Sequence, residues 1–571
     1  KNMNNPLPYL TPRILFKAVF TGYFLVAMHY YLPNTGGSGL YLPFNVIGWM
    51  FIVTLIGLGF WQISRTGIIQ LSKTQILAWI GFLFFLLPLA YSMNEIAYRS
   101  TARIMFLLGG LAFYSALVQF RFRQEERLLL LYIILGAIVM QSVLGLMQYY
   151  GLGSESYFLL NKKKLPYGSF IQKNVMTTFM ATGIGMGLFM IGKDPGLVTS
   201  KLKKWLVFLL PLTGSIIIMA IKSKAGYLGL IVVILLQFPH INMGQKLYQR
   251  WFAVLFAGLI IGYISPIVYQ SVQTKDDLYT RDFASQLGTI NQRVVIYETT
   301  FLMLRDNPLT GIGYGRWPRV FREYSASRRA NEIGYDYVGD NYFQHPHNET
   351  LLWLSEGGIA PFLGLLIFAG AYLVMVFRVH WQEALPCLAL VMPIFLHTQF
   401  EFPFDCSLAH WVIFLTLIHL PDNRDDMRYR YGLHKALIIP AVLIPLMVYQ
   451  YMGTTLRNNS ILTRFVDTGK KNYDLLLQIE EPGALHWSYD FYILKAMHDY
   501  GIATKDEETL QAFLDKGEEF VLYSPQLLIY KAMGITLKAM GREEEAEAMS
   551  ARARYLYPDT NEAWLLPGNQ K

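Results

Sequence analysis

Apolar runs of about 20 residues recur from near Arg13 to near Met452, and each is long enough to cross a hydrocarbon core of roughly 30 Å as a helix. Thirteen such runs fall near residues 14–32, 43–63, 75–93, 101–119, 128–150, 174–192, 205–221, 224–239, 251–270, 358–378, 384–399, 406–420 and 436–452. They predict an all-α polytopic membrane protein with about 13 transmembrane helices. The first run carries Lys17, and it is too long and too quickly followed by others to read as a cleaved signal peptide. Composition agrees with lipid as the main solvent: 16% of the 571 residues are charged, against about 25% in soluble chains. An ordinary soluble enzyme is thereby excluded. Abundant aromatics exclude a disordered chain, and two cysteines, Cys387 and Cys406, exclude a disulfide scaffold.

The net charge of +9 is informative through its distribution. With the N-terminus placed in the cytoplasm, alternate loops hold Arg65 and Lys73; Arg121, Arg123 and Arg127; Lys193, Lys201, Lys203 and Lys204; Lys246 and Arg250; Arg378; and Arg424, Arg428, Arg430 and Lys435. This is the positive-inside pattern of a multi-pass protein, and it needs no nucleic-acid partner. The opposite loops 33–42 and 400–405 have neither Lys nor Arg, and thirteen spans leave the C-terminal segment outside.

Three outer features depart from that pattern: Lys162, Lys163, Lys164 and Lys173; Lys222 and Lys224 in a tight turn; and the long loop 271–348. In that loop nine basic side chains balance nine acidic ones, yet Arg316, Arg319, Arg322, Arg328 and Arg329 crowd one stretch with Glu323. Outward-facing basic residues suit an anionic ligand such as a lipid-linked phosphate, and a solvated or headgroup-contacting face has the same composition.

Residues 1–452 hold 36 basic and 22 acidic side chains, whereas residues 453–571 hold 13 and 18, so the chain divides into a membrane domain and an acidic remainder. Helical periodicity in Glu508 to Tyr523 and Pro525 to Met540 predicts a C-terminal helical, tetratricopeptide-like (TPR-like) domain. It either docks a protein partner or packs on the outer loops.

Candidate chemistry gathers on the outer side. Asn341 to Glu349, with His345, His347 and Asn348, re-enters the membrane just before an apolar helix. A neutral imidazole can take a proton from a hydroxyl near neutral pH, and a neighbouring amide can fix its tautomer. Two histidines without Cys or an HExxH pattern make a poor metal site. Gly311, Gly313 and Gly315 lack the strand and the Lys-Ser or Lys-Thr of a nucleotide loop, so they shape the backbone, while Arg293 offers a bidentate charge. Tyr167, Gln172, Lys173 and Asn174 sit at the outer entrance of the sixth span and suit a sugar or headgroup. His397 and Glu401 stand one helical turn apart at another outer boundary.

Together, Gly168-x-Phe170-x-Gln172-x-Asn174, Ser223-Lys224, Arg293, the glycine turn, His345-x-His347-Asn348 and His397-x-x-x-Glu401-x-Pro403 resemble the O-antigen ligase and O-linked oligosaccharyltransferase superfamily. The likeness covers most of residues 13–420. The His397 to Pro403 element and the C-terminal helices are more like the pilin-glycosylating, PglL-type branch. The resemblance implies a bacterial inner-membrane glycosyltransferase whose active site faces the periplasm. It would move a preassembled glycan from undecaprenyl pyrophosphate to a Ser or Thr hydroxyl of a periplasmic protein such as a type IV pilin.

Carried over position by position, the resemblance makes His347 the family's essential His, with Arg293 and the basic outer turn at Lys224 holding the donor pyrophosphate. The residues themselves suggest His347 as general base supported by His345 and Asn348, further charge on the pyrophosphate from Lys173 and Arg316, and Gln172, Asn174, Tyr167, His397 and Glu401 toward substrate. The family usually carries Arg where this chain has Lys224, which keeps the charge and loses the fork. The donor is already activated, so no cofactor or metal is expected. O-antigen ligation or polymerisation on a lipid or glycan acceptor is the alternative, and a transporter or flippase fits less well because charges are sparse inside the spans.

Overall fold

The computed structural model describes residues 11–91, 97–152, 165–272, 283–332, 335, 339, 341–378, 381–422 and 427–559. Each of the thirteen apolar runs carries a helix: α1 (Pro12–Leu25), α2 (Pro43–Thr66), α3 (Lys73–Tyr91), α4 (Thr101–Phe120), α5 (Gln124–Tyr150), α6 (Lys173–Lys193), α7 (Lys201–Ile221), α8 (Lys224–Gln237) and α9 (Lys246–Val272) come first. The connecting segment forms α10 (Phe283–Asp306), α11 (Trp317–Asn331) and α12 (Glu349–Gly357). Then follow α13 (Ile359–Phe377), α14 (Trp381–Thr398), the single turn α15 (Pro403–Cys406), α16 (Leu408–His419) and α17 (Ile438–Asp467). The chain closes with α18 (His486–Thr504), α19 (Glu507–Tyr523), α20 (Leu527–Ala539) and α21 (Glu543–Leu556). The protein is an all-α, polytopic membrane protein. Among the described residues nine helices are long and apolar enough to span, and three shorter apolar helices accompany them.

One addition was not expected. Ile68–Leu71 and Met427–Arg430 pair as antiparallel strands β1 and β2, with Ile68 opposite Arg430 and Leu71 opposite Met427.

The chain forms two compact units. The first comprises Lys1–Trp79, Leu107–Thr280 and Ile367–Thr463. Its central element is α6, in which every residue from Val175 to Met190 is buried. Small residues permit that: a Cβ on Gly185 would come within 2.2 Å of Val233, and one on Gly226 of α8 within 2.6 Å of Thr177. The apolar window of α17 is by contrast 6% buried, against 89% for α6, so α17 leaves its apolar surface uncovered by the rest of the chain. Between α7 and α8 the chain reverses at Lys222, which adopts the left-handed conformation (φ 56°), and Ser223 caps α8 by accepting from Gly226 N–H at 3.3 Å.

The second unit comprises Ile80–Phe106, Arg281–Leu366 and Arg464–Lys571. Here α12 ends against the glycine turn: Ile312 N–H donates to Ser355 O and Gly313 N–H to Glu356 O, both at 2.9 Å. Gly311 and Gly358 both have positive φ, and a Cβ on Gly358 would lie 2.2 Å from Leu309 O, so two backbones meet where no side chain fits. The glycines therefore shape the backbone, as their sequence context predicts. The C-terminal helices enclose a core of Leu494, Phe513, Phe520, Met533 and Leu537. A second cluster joins Ala326 of α11 to Tyr530, Ala553, Leu556 and Tyr557.

Candidate functional site

The sequence-predicted residues fall in both units. Tyr167, Gln172, Lys173, Asn174, Lys224, His397 and Glu401 belong to the first; Arg293, Arg316, His345, His347 and Asn348 belong to the second. Lys162, Lys163 and Lys164 lie outside the described residues.

In the first unit, two glutamines on α5 shape the turn that delivers Tyr167 and Gln172. Gly168 N–H donates to Gln148 Oε1 at 2.8 Å, and Gln148 Nε2 returns a bond to Gly168 O at 3.0 Å. Ser169 N–H donates to Gln141 Oε1 at 2.9 Å while Gln141 Nε2 donates to Ser169 Oγ at 2.8 Å. Both glutamines are buried, and reciprocal pairing satisfies amides that would otherwise be costly inside a membrane helix. The turn ends at Gln172, which precedes Lys173, the first residue of α6.

Asn174 then joins three elements. Its side-chain oxygen accepts from Ser223 Oγ at 3.0 Å, which ties the start of α6 to the start of α8 and so brings the Lys173 and Lys224 positions to neighbouring helix N-termini. Its carbonyl accepts from Thr178 Oγ1 at 3.1 Å, and that hydroxyl stands 2.9 Å from His397 Nδ1. His397 is fully buried, and Glu401 N–H donates to its carbonyl at 2.9 Å, which continues the helical turn between the two. Deeper still, His410 Nε2 lies 3.1 Å from Val175 O, with its ring against Phe170 and Phe179. Sequence reasoning missed Thr178, His410 and the two glutamines. Their signal was present as polar residues inside apolar runs, with Asn174 and Thr178 four apart on one helical face.

In the second unit, His347 holds a left-handed backbone conformation (φ 56°) immediately before the Asn348 cap. Asn348 Oδ1 accepts from Leu351 N–H at 2.8 Å and opens α12. His347 N–H donates to His345 Nδ1 at 3.3 Å, and the two rings meet edge to face with centroids 4.6 Å apart. A ring nitrogen that accepts carries no proton, so this bond selects the tautomer of His345 protonated at Nε2. Tyr297 Oη donates to His347 O at 3.2 Å. Arg293 stands one turn before Tyr297 on α10, on the same face of that helix. Arg316 precedes α11, its N–H bonded to Gly313 O at 3.4 Å.

The arginine-rich stretch is divided between uses. Arg319 pairs with Glu323 at 3.2 Å, Arg328 pairs with Glu332 and donates to Thr299 Oγ1 at 2.9 Å, and Arg329 donates to Tyr555 O at 2.9 Å. Arg322 bonds backbone carbonyls. These four side chains make contacts within the fold, from which Arg316 stands apart at the start of α11. Another missed residue is Arg103, which pairs with buried Glu356 and lies 4.6 Å over the Trp353 ring. Glu356 Oε1 also accepts from Trp317 N–H at 3.1 Å, so one carboxylate fixes α11 to α12.

Chemically, the first unit offers two adjoining helix N-termini with lysines at both, an arrangement suited to an anion. The second offers an imidazole on a constrained turn. Among the described residues no three His, Cys, Asp or Glu side chains converge as metal ligands would.

Residues 206–369 match the family described as O-Antigen ligase. Residues 385–570 match the family described as virulence factor membrane-bound polymerase, C-terminal. No curated protein matches the chain.

Proposed function

Because the chain belongs to the O-antigen ligase superfamily, we propose that it is an O-linked oligosaccharyltransferase, one that moves a preassembled glycan from undecaprenyl pyrophosphate to a Ser or Thr hydroxyl of a periplasmic protein such as a type IV pilin. The observation that carries the reading is His347, set on a left-handed turn beside His345 at the capped start of α12. A strained backbone at a polar turn is the kind of feature that persists where a side chain must be aimed. The distribution of Lys and Arg between alternate loops supports a periplasmic position for that turn.

In this mechanism the His347 imidazole takes the proton of the acceptor hydroxyl as its oxygen attacks the anomeric carbon. The bond from that carbon to the pyrophosphate oxygen breaks, and its electron pair leaves with the lipid pyrophosphate. Inversion at the anomeric centre follows from direct attack. Lys173, Lys224, Arg293 and Arg316 neutralise the developing charge, an electrostatic contribution that is often the largest in such transfers. Gln172, Asn174, Tyr167, His397 and Glu401 line or support the substrate. The activated donor supplies the driving force, so no cofactor enters.

A second reading, polymerisation or ligation of O-antigen units, is favoured by the match of residues 385–570 to the polymerase C-terminal family. Intact mass of candidate periplasmic proteins with and without this enzyme separates the two. A glycan-sized mass that vanishes on deletion supports protein glycosylation. Unmodified proteins together with altered lipopolysaccharide chain length refute it in favour of the second reading.

A further inference from the structure

The segment that leads into His347 is held by the C-terminal helices. Arg322 of α11, 2% exposed, donates to the carbonyls of Gly339, at 3.0 Å, and Asn341. The same guanidinium lies 4.6 Å from the ring centroid of Tyr557, just beyond α21. Next along the chain, the Tyr342 ring stacks on Trp487 of α18, with planes 10° apart and centroids 6.5 Å apart. Ser524 Oγ donates to the Tyr342 hydroxyl at 3.0 Å and accepts from Trp487 Nε1 at 3.0 Å. Burial pushes the Tyr342 phenol up to about 12, so it stays neutral at working pH. Phe343 packs edge-on to Phe321 and to the His347 ring, with centroids 6.0 and 6.5 Å away.

Tyr342 and His347 are five residues apart, a span of at most about 17 Å in fully extended chain. Little of that span is slack, because Phe343 is packed, His345 and His347 are bonded to each other, and Tyr297 holds the His347 carbonyl. A movement of Tyr342 is therefore transmitted to His347 rather than absorbed. A helical domain that served only to recruit an acceptor would have no need to spend Trp487, Ser524 and Tyr557 on this segment.

We propose that Tyr342 is a positioning residue for glycan transfer, and that the C-terminal helices, through Trp487 and Ser524, set the geometry in which His347 meets the acceptor hydroxyl. The proposal rests on the role given to His347 above. It makes residues 486–557 part of the catalytic apparatus rather than an appended module.

The test uses the full-length enzyme in proteoliposomes with a lipid-pyrophosphate oligosaccharide and an acceptor protein. Tyr342→Ala and Trp487→Ala should each lower kcat of the folded enzyme by about 10- to 100-fold, the scale of an ångström-sized misplacement, with donor KM within about twofold and a thermal midpoint lowered by the lost aromatic packing. Tyr342→Phe, which keeps the stacked ring, should restore kcat to within about threefold of the parent. The double variant should lose no more than the worse single one, because both break one contact. If Trp487→Ala does not fold, Ser524→Ala removes the hydrogen bonds to Tyr342 and from Trp487, along with one from Gln526, and should lower kcat by about threefold. An unaffected kcat in whichever of these two folds, or losses that multiply in the double variant, overturns the proposal. Parent enzyme that transfers nothing from the lipid-pyrophosphate donor refutes the functional reading instead.

Discussion

The hydroxyl of Ser223 donates to the side-chain oxygen of Asn174 across 3.0 Å, and this one bond ties the N-terminus of α8 to that of α6. Each helix start leaves backbone N–H groups directed outward, and each carries a lysine, Lys173 on one and Lys224 on the other. Ser223→Ala removes the bond and the α8 cap together, for a stability loss of about 1–2 kcal/mol. Donor KM should rise several-fold with kcat nearly unchanged. Steady-state kinetics with varied donor, beside a thermal melt, checks both.

Lys224 tests the charge itself. It is exposed and opens α8, so Arg fits without repacking and keeps the cation, whereas Glu places an anion at a helix N-terminus proposed to receive pyrophosphate. Lys224→Arg should retain activity within about threefold, and Lys224→Glu should lose at least about tenfold in kcat/KM. Equal activity of all three enzymes removes Lys224 from the donor site.

Gly168 is a backbone requirement. With φ at 61° and a Cβ position 2.2 Å from Gln141 Oε1, alanine would strain the turn and break the amide pairing beneath Ser169. Gly168→Ala should cost about 2–4 kcal/mol, visible as a lower unfolding midpoint in detergent. An unchanged midpoint would show that the turn relaxes freely.

Much of this was legible from sequence, and the limits have physical causes. Lipid-length apolar runs locate the membrane helices because hydrocarbon thickness fixes their length. They say nothing about which helix is central: α6 and α17 are both apolar, yet one is enclosed by neighbours and the other is left largely uncovered. His347 stood out because an HPHN cluster is unusual beside an apolar helix. Its partner through the loop, Trp487, did not, since residues 342 and 487 meet only after the chain has formed six further helices, α12 to α17. Likewise β1 and β2 are four-residue strands separated by more than 350 positions, a pairing that no local pattern announces. Arg322 looked like its four neighbours in sequence and differs from them only in being buried against carbonyls.

Proton linkage gives the C-terminal helices a specific pH profile. Burial lowers the pKa of His498, whose Nδ1 lies 3.0 Å from Thr536 Oγ1; Asp499 opposes that shift and Lys495 adds to it. The unfolded chain thus binds its proton at a higher pH than the folded one, so stability is complete above about 6.5 and declines as pH falls from there toward the folded pKa. Asp499 acts in a lower window. Burial raises its pKa, but bonds from Lys495 at 2.7 Å and Tyr473 at 2.7 Å outweigh this and leave it lowered, so its contribution is lost only as pH falls below about 3.9. His498→Gln should flatten the first part of the fall of the unfolding midpoint below about pH 6.5 and leave the steeper acid limb in place. A parent and variant with the same slope across that first part would assign the midpoint's pH dependence to other groups.

His347 offers the sharpest separation of conformation from chemistry. Its left-handed backbone is a geometry that Asn adopts more readily than Ala, so His347→Asn should preserve the turn into α12, while His347→Ala adds a backbone cost of about 1 kcal/mol. Neither side chain can accept a proton near neutral pH. Both variants should therefore lose glycan transfer by at least about 100-fold, with the Asn enzyme melting close to the parent. Transfer by His347→Asn near the parent rate would mean that the turn geometry matters and the imidazole does not, and the general base would then have to be sought elsewhere.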